Sequence, residues 1–342
     1  MTLRALSRWP LVVAPMAGGP STVDLVVETS RAGALSFLAG GYKTPAALAE
    51  EMAAVRAAGV DAFGVNLFVP GAPTADPEGL AAYVALLEAD AAVVGAALGE
   101  PSWDDDDYAG KVDAVLAAPP AAVSFTFGIP AADVVAALQA AGSAVLLTVT
   151  TPEEAVVALR AGPDALCLQG AEAGAHRGSL ANDDRPDADR PVRALLAAVR
   201  RRTLVPLVAA GGVGGPEDVA DLLLRGADLV QAGTAFLRCP ESGAPAALKD
   251  ALAGSTAFGV TEITRAFSGR RARALVNAMV REHGAAPAAY PEINNTTRPL
   301  RAAAARAGDA ERMSLYAGTA FARADARPAA EVVERLVAGV QR

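Results

Sequence analysis

The chain has few of the residues that would point to several common kinds of protein. Only two cysteines, Cys167 and Cys239, occur in 342 residues, too few for a disulfide framework and far from any zinc-finger spacing, so a reducing cytoplasm is the expected compartment. Histidine is equally scarce, at two residues, and lysine is confined to Lys43, Lys111 and Lys249. Aromatics make up 5% of the chain, and acidic residues outnumber basic ones by 38 to 30, giving a net charge of −8. That balance argues against a nucleic-acid partner, which would call for a basic face. No stretch carries about 18 uninterrupted apolar residues, and the N-terminus lacks an apolar core with a cleavage site, so neither a membrane span nor an export signal is expected. The acidic run Asp104–Asp107 reads as a solvated helix start complementing the helix dipole rather than as a metal site.

What the chain does have is a repeated alternation of short apolar runs and helical segments. Apolar runs at Trp9–Met16, Gly33–Leu38, Asp61–Phe68, Ala122–Phe127, Ser143–Thr150, Ala165–Gln169, Pro206–Ala209 and Leu229–Gln231 read as eight strands separated by helices. Thr44-Pro45 and Thr151-Pro152-Glu153-Glu154 carry helix-start signals, the second with capping-box spacing. Eight such units predict parallel pairing with right-handed crossovers and closure into an α/β (β/α)8 barrel, the TIM barrel. After Phe236 the pattern changes. Helical runs are expected at Pro245–Ala253, Arg271–His283 and Leu300–Ala307, with a polar loop over Glu292–Arg298 and a final amphipathic helix within Arg327–Val340. The expected organisation is a barrel of residues 1–236 plus 317–342 carrying an inserted helical cap at 237–316.

The segment Pro206–Phe236 organises the chemistry. An apolar strand runs into Gly211, Gly212, Gly214 and Gly215, then Pro216 opens a helix with Glu217 and Asp218 in its first turn. The next strand ends in Gly233 and Thr234. Two neighbouring strand tips thus offer backbone N–H groups and a hydroxyl, a combination suited to a phosphate. Asn66, at the end of the third strand, supplies an amide able both to donate to and accept from a heterocycle edge.

Gln169-Gly170-Ala171-Glu172-Ala173-Gly174-Ala175-His176-Arg177-Gly178 follows the sixth strand, where barrel enzymes place reactive groups. A neutral imidazole at His176 can accept a proton, and the adjacent Arg177 would favour the neutral form. His283 reads as a charge at a helix end, Cys167 as core, and Cys239 as a small buried residue rather than a nucleophile.

Five runs, in order and in register, carry a resemblance. They are Ala14-Pro15-Met16-Ala17-Gly18-Gly19, Gly64-Val65-Asn66-Leu67, Gln169 to Gly178, Ala209-Ala210-Gly211-Gly212 and Gln231-Ala232-Gly233-Thr234-Ala235-Phe236. Together they resemble the nitronate monooxygenase family, formerly 2-nitropropane dioxygenases, over nearly the whole chain. The resemblance implies noncovalent FMN, contacted by Asn66, Gln169, Gly174, Gly212 and the run Gln231, Ala232, Gly233, Thr234, with Ala14 and Met16 close to its ring; the glycine loop adds Gly211. It implies that His176 takes the α-proton of a neutral nitroalkane and orients the nitronate. It also implies that alkyl nitronates, with propionate 3-nitronate and nitroalkanes as further substrates, react with O2 to give carbonyl compounds and nitrite. A monomer or homodimer is expected.

The chain departs from the family's usual Gly-Gly-His at Gly174-Ala175-His176; if the second position needs positive φ, alanine there costs roughly 1 kcal/mol and shifts the histidine. Tyr290 and Tyr316 are the candidate pocket residues of the cap. The competing readings on the same scaffold are a flavin-dependent enoyl-acyl-carrier-protein reductase, an NADH:quinone reductase, and a noncatalytic barrel that binds a phosphate ligand.

Overall fold

The computed structural model describes residues 3–183, 189–254 and 258–340. Eight parallel strands close into a barrel: β1 (Leu11–Val13), β2 (Leu35–Ala39), β3 (Phe63–Phe68), β4 (Ala122–Thr126), β5 (Ala144–Val149), β6 (Ala165–Gln169), β8 (Leu207–Ala210) and β9 (Leu229–Ala232). Closure comes from β9 pairing with β1, with Leu11 opposite Val230 and Val13 opposite Ala232. The two-residue β7 (Ala175–His176) lies outside the barrel and pairs with the cap.

Burial explains why the strands read as near-continuous apolar runs. All five residues of β2 and all six of β5 are buried, as expected of a parallel sheet covered on both faces. One set of side chains, including Val12, Phe37, Leu146, Cys167 and Val208, fills the barrel interior, where Leu3 and Leu6 of the N-terminal turn join them. The opposite set, such as Leu38, Val65, Leu147 and Leu168, packs against the surrounding helices. At roughly 1.5–3 kcal/mol for each fully buried large apolar side chain, these two layers are the main stabilising term of the barrel.

The helix starts follow their local chemistry. Thr44 caps α2 (Pro45–Ala57) by accepting from the Ala47 N–H. Thr151 and Glu154 form a reciprocal capping box on α6 (Pro152–Leu159). Asp218 in α8 (Pro216–Leu224) reaches back to accept from Gly214 and Gly215, which fixes the exit of the glycine loop.

The acidic run behaves differently from its reading as a solvated helix start. Asp107 precedes α4 (Tyr108–Ala117) without a side-chain cap. Asp106 instead accepts from the Tyr42 N–H and pairs at 2.7 Å with the buried ammonium of Lys111.

The cap combines strands with helices. Thr261–Thr264 (β10) and Ala272–Leu275 (β11) form an antiparallel pair, extended by β7 into a three-stranded sheet. Residues 271–283, expected to be one helix, are therefore β11 followed by the short α10 (Ala278–Glu282). In Ala272-Arg273-Ala274, alanine is buried on either side of a half-buried arginine, a period of two that suits a sheet with one covered face. The expected polar loop at 292–298 is the first half of α11 (Glu292–Ala307). There Thr296 and Thr297 donate to the carbonyls of Glu292 and Ile293 four residues back, so their hydroxyls are satisfied within a buried helix. His283 sits at the end of α10 but is buried, with Nε2 2.7 Å from Asp90 Oδ2 on α3 (Pro77–Val94), so it braces two cap-side elements rather than facing water. No helix among the described residues is long and apolar enough to cross a membrane.

Candidate active site

A cavity of about 540 Å3 lies at the C-terminal mouth of the barrel, roofed by the cap. Ala14, Met16, Asn66, Gln169, Gly174, His176, Gly211, Gly212, Gln231, Ala232, Gly233 and Thr234 all line it, so the structure brings together every site residue expected from the sequence. Tyr316 lines it too, whereas Tyr290 stands behind the His176 ring at 5.6 Å between centroids.

One side of the cavity is made of backbone. Gly211 and Gly212 have φ of 125° and 71°, the left-handed region open to glycine at little cost. Among the described residues, the N–H groups of Gly211, Gly212, Gly233 and Thr234 donate to no protein acceptor. The Thr234 Oγ accepts from the Gly318 N–H at 2.9 Å, which leaves its own proton free to donate. A Cβ on Gly211 would come within 3.1 Å of the Ala173 nitrogen, and one on Gly233 within 3.2 Å of the Ala14 Cβ. Deeper in, Asn66 is oriented by Nδ2 donating to Ser124 Oγ and Thr126 Oγ at 2.9 and 3.0 Å, so its Oδ1 has no protein partner among the described residues.

Gln169 is more constrained than its reading as a free polar edge suggests. Its Oε1 accepts from Arg177 and from the Gly178 N–H, and its Nε2 donates to the His176 carbonyl. The side chain therefore ties the 169–178 loop together and keeps one amide proton in reserve. Arg177 is 2% exposed and turned into this tie, bonded to the Gly170 and Gln169 carbonyls, so it does not face the imidazole beside it in sequence.

The other side of the cavity is made of side chains. His176 Nε2 lies 2.7 Å from Ser268 Oγ, which also sits 3.2 Å from the Arg270 carbonyl. When the serine donates to that carbonyl, the imidazole donates from Nε2 and its Nδ1 keeps the lone pair. The ring packs against Phe127, Tyr290 and Tyr316 at 5.3–5.8 Å. Burial, reinforced by the positive charges of Arg270 and Arg301, pushes its pKa down to about 3. The ring is half-buried and lines the cavity. Arg298 and Arg301 of α11 line the same space, and neither makes an ion pair among the described residues.

Ser268, Arg270, Arg301, Tyr42 and Phe127 are the site residues that sequence reading missed. Tyr42, directly after Gly40-Gly41 at the end of β2, and Phe127, directly after β4, carried a positional signal, since every loop after a barrel strand opens onto this mouth. The two cysteine thiols are both pushed up to about 12 by burial, in keeping with their reading as inert core.

A closed parallel barrel with unpaired amides on one wall of its mouth and a half-buried neutral imidazole on the other has the layout of a barrel enzyme. Comparison with known proteins narrows the class. The family model described as nitronate monooxygenase matches residues 2–339. A nitronate monooxygenase from Pseudomonas aeruginosa is 39% identical over 96% of this chain and 95% of its own. A probable nitronate monooxygenase from Staphylococcus aureus is 32% identical over 96% and 93%. Among solved structures, a nitroalkane oxidase from Streptomyces ansochromogenes superposes with a TM-score of 0.95 at 44% identity, covering 98% of this chain and 96% of that one. FabK from Thermotoga maritima shares the fold, with a TM-score of 0.74 at 22% identity over 98% and 94%. The chain belongs to the nitronate monooxygenase family and is an oxidoreductase.

Proposed function

We propose that this protein holds FMN and oxidises anionic nitronates with O2 to carbonyl compounds and nitrite. The residues present fit the cofactor. Four N–H groups without protein acceptors, at two adjacent strand tips where side chains would intrude, suit the phosphate. The free Oδ1 of Asn66 and the remaining amide proton of Gln169 suit polar edges of the ring or ribityl chain. FMN, when bound, supplies the electron acceptor and the reaction with O2.

The single observation that carries the substrate reading is the charge of the facing wall. A neutral imidazole stands there among arginines, two of them, Arg298 and Arg301, without carboxylate partners among the described residues. Such a wall disfavours an imidazolium and favours an anion, so a preformed nitronate enters with its charge compensated. A base held near pKa 3 is poorly matched to neutral pH, so proton abstraction from a neutral nitroalkane is the harder task for this site. The nitronate's own negative charge, once in place, raises the basicity of His176 and lets the imidazole orient the nitro oxygens. The aromatic shell of Phe127, Tyr290 and Tyr316 excludes water around the reacting carbon.

The test uses purified holoenzyme, its visible spectrum and oxygen uptake. His176→Asn keeps the flavin spectrum and loses about 100-fold or more of its rate on a neutral nitroalkane, a general-base contribution, while the rate on preformed nitronate falls less. Equal losses on both substrates remove the proton-transfer role. Rapid anaerobic bleaching of the flavin by NADH, with no oxygen uptake on nitronate, would replace this reading with that of an NADH-dependent reductase.

A further inference from the structure

A second cavity, of about 270 Å3, lies behind the aromatic wall of the first. Phe127 lines both, and Tyr290 stands beside it with the two ring centroids 5.5 Å apart, so these rings form the partition. Phe127 has φ of 78°, a left-handed conformation that is strained for a bulky side chain and is kept only where the surroundings hold it. The guanidinium of Arg270 stacks 4.0 Å over the Phe127 ring and lines the second cavity.

Arg270 is 5% exposed, and its hydrogen bonds go to the main-chain carbonyls of Arg177 and Ser179. No carboxylate among the described residues lies within ion-pair distance of it. Glu154 contributes to its field, but the Glu154 oxygens are already taken by the N–H groups of Thr150, Thr151 and Leu180 and by the Thr150 hydroxyl. Burial pulls the guanidinium pKa down to about 10, which still leaves it charged at neutral pH. A buried cation with no counter-ion among the described residues is costly, and the cavity beside it has room for an anion with several waters at ~30 Å3 each.

We propose that this cavity is a side vestibule for a small inorganic oxyanion, with Arg270 as its counter-charge and Phe127 as the movable partition toward the main cavity. The oxyanion that fits the activity proposed above is nitrite; that assignment rests on the proposed reaction, whereas the anion site itself does not. Because Phe127 lines both cavities and lies 4.0 Å beneath the Arg270 guanidinium, its ring is what separates a nitrite in the main cavity from Arg270.

Crystals of the holoenzyme soaked in sodium bromide test the site without turnover. The expected result is an anomalous peak in hydrogen-bonding range of the Arg270 guanidinium, lost in Arg270→Leu and weakened in Arg270→Lys. Bromide confined to the main cavity, or an adventitious ion only, scattered over surface arginines, overturns the proposal; if Arg270→Leu does not fold, the wild-type soak decides alone. In steady state, nitrite should inhibit nitronate oxidation with a noncompetitive component that weakens about 10-fold in Arg270→Lys, which keeps the charge but loses the bidentate guanidinium fork. Purely competitive inhibition, unchanged in that variant, removes the vestibule from the reaction. Bromide at Arg270 in a protein that leaves nitronates untouched would sink the proposed reaction and keep the site; the converse result sinks the site alone.

Discussion

The two walls of the main cavity are built by different means. The wall at β8 and β9 presents backbone: N–H groups of Gly211, Gly212, Gly233 and Thr234, placed by strands whose positions the barrel fixes. The facing wall presents side chains that arrive from separate loops and helices: His176 from β7, Arg301 from α11 and Phe127 from the end of β4, with Ser268 and Arg270, from the loop before β11, standing behind them. A wall of amides can hold a phosphate with any neighbouring sequence, provided no Cβ intrudes. A wall of side chains is only as well placed as the contacts that orient each one. Damage to the first should therefore be steric and abrupt, and damage to the second graded and sensitive to pH.

The sharpest break in that contrast is Gly174→Ala, at the joint between the walls. A Cβ there would lie 2.5 Å from the Gly318 nitrogen and 2.6 Å from the Ala317 carbonyl carbon, both backbone atoms with little freedom to yield. The loop carrying His176 must shift, and a displacement of about 1 Å at a reacting group costs on the order of 100-fold in rate. The expected result is a folded protein with an unchanged circular dichroism spectrum and kcat down by at least that factor. Near-normal kcat would show that the loop tolerates movement and that the side-chain wall is looser than its contacts imply.

The same contrast decides how much of the molecule was legible in its sequence. The β8–β9 wall could be read directly, because an apolar run ending in Gly211-Gly212 or Gly233-Thr234 encodes strand, turn and open backbone within a few residues. The eight barrel strands were legible for the same reason, and β6 falls on the expected residues, Ala165–Gln169. His176 stood out only because the chain has so few histidines and this one follows a barrel strand. Its partners could not be read. Ser268 lies 92 positions away, and nothing in Phe267-Ser268-Gly269-Arg270 distinguishes it from an ordinary turn. Arg177 was expected to tune the imidazole because it is adjacent in sequence, yet adjacent residues in a strand point to opposite faces; Arg270 and Arg301 do the tuning. In β11 the alternation of Arg271-Ala272-Arg273-Ala274 was visible, but alanine's helix preference outweighed it until the pairing with Ala175 and His176 supplied the missing neighbour strand.

A smaller effect tests whether the imidazole is held neutral. The pKa of His176 is lowered from its ordinary 6.5 to about 3, so the folded protein binds fewer protons than the unfolded chain between those values. The stabilising contribution is fully present above pH 6.5 and is lost as pH falls toward 3, by up to ~1.4 kcal/mol per pH unit. Chemical denaturation of wild type and of His176→Asn at pH 7.5 and at pH 4.5 isolates that contribution. The wild type should lose more stability between the two pH values than the variant. Equal losses would mean that the ring protonates freely in the folded state and that the arginines do not shape its charge.

The smallest expected effect lies at Ala175, one residue from the imidazole. Its φ is 61°, in the left-handed region where a Cβ costs about 1 kcal/mol relative to glycine. The chain keeps that conformation because three restraints act on the segment: Ala175 pairs with Arg273 of β11, the His176 carbonyl accepts from Gln169, and the Arg177 N–H donates to the Arg271 carbonyl at 2.7 Å. Ala175→Gly removes the strain but gives the unfolded chain more conformations to lose on folding, so the two terms oppose each other. If strain dominates, the denaturation midpoint rises by an amount equivalent to less than about 1 kcal/mol, and kcat on nitronate is unchanged because the β7–β11 pairing still sets the ring. A fall in kcat at equal or higher stability would instead mean that the methyl group itself holds His176 in place, making Ala175 a positioning residue rather than a tolerated strain.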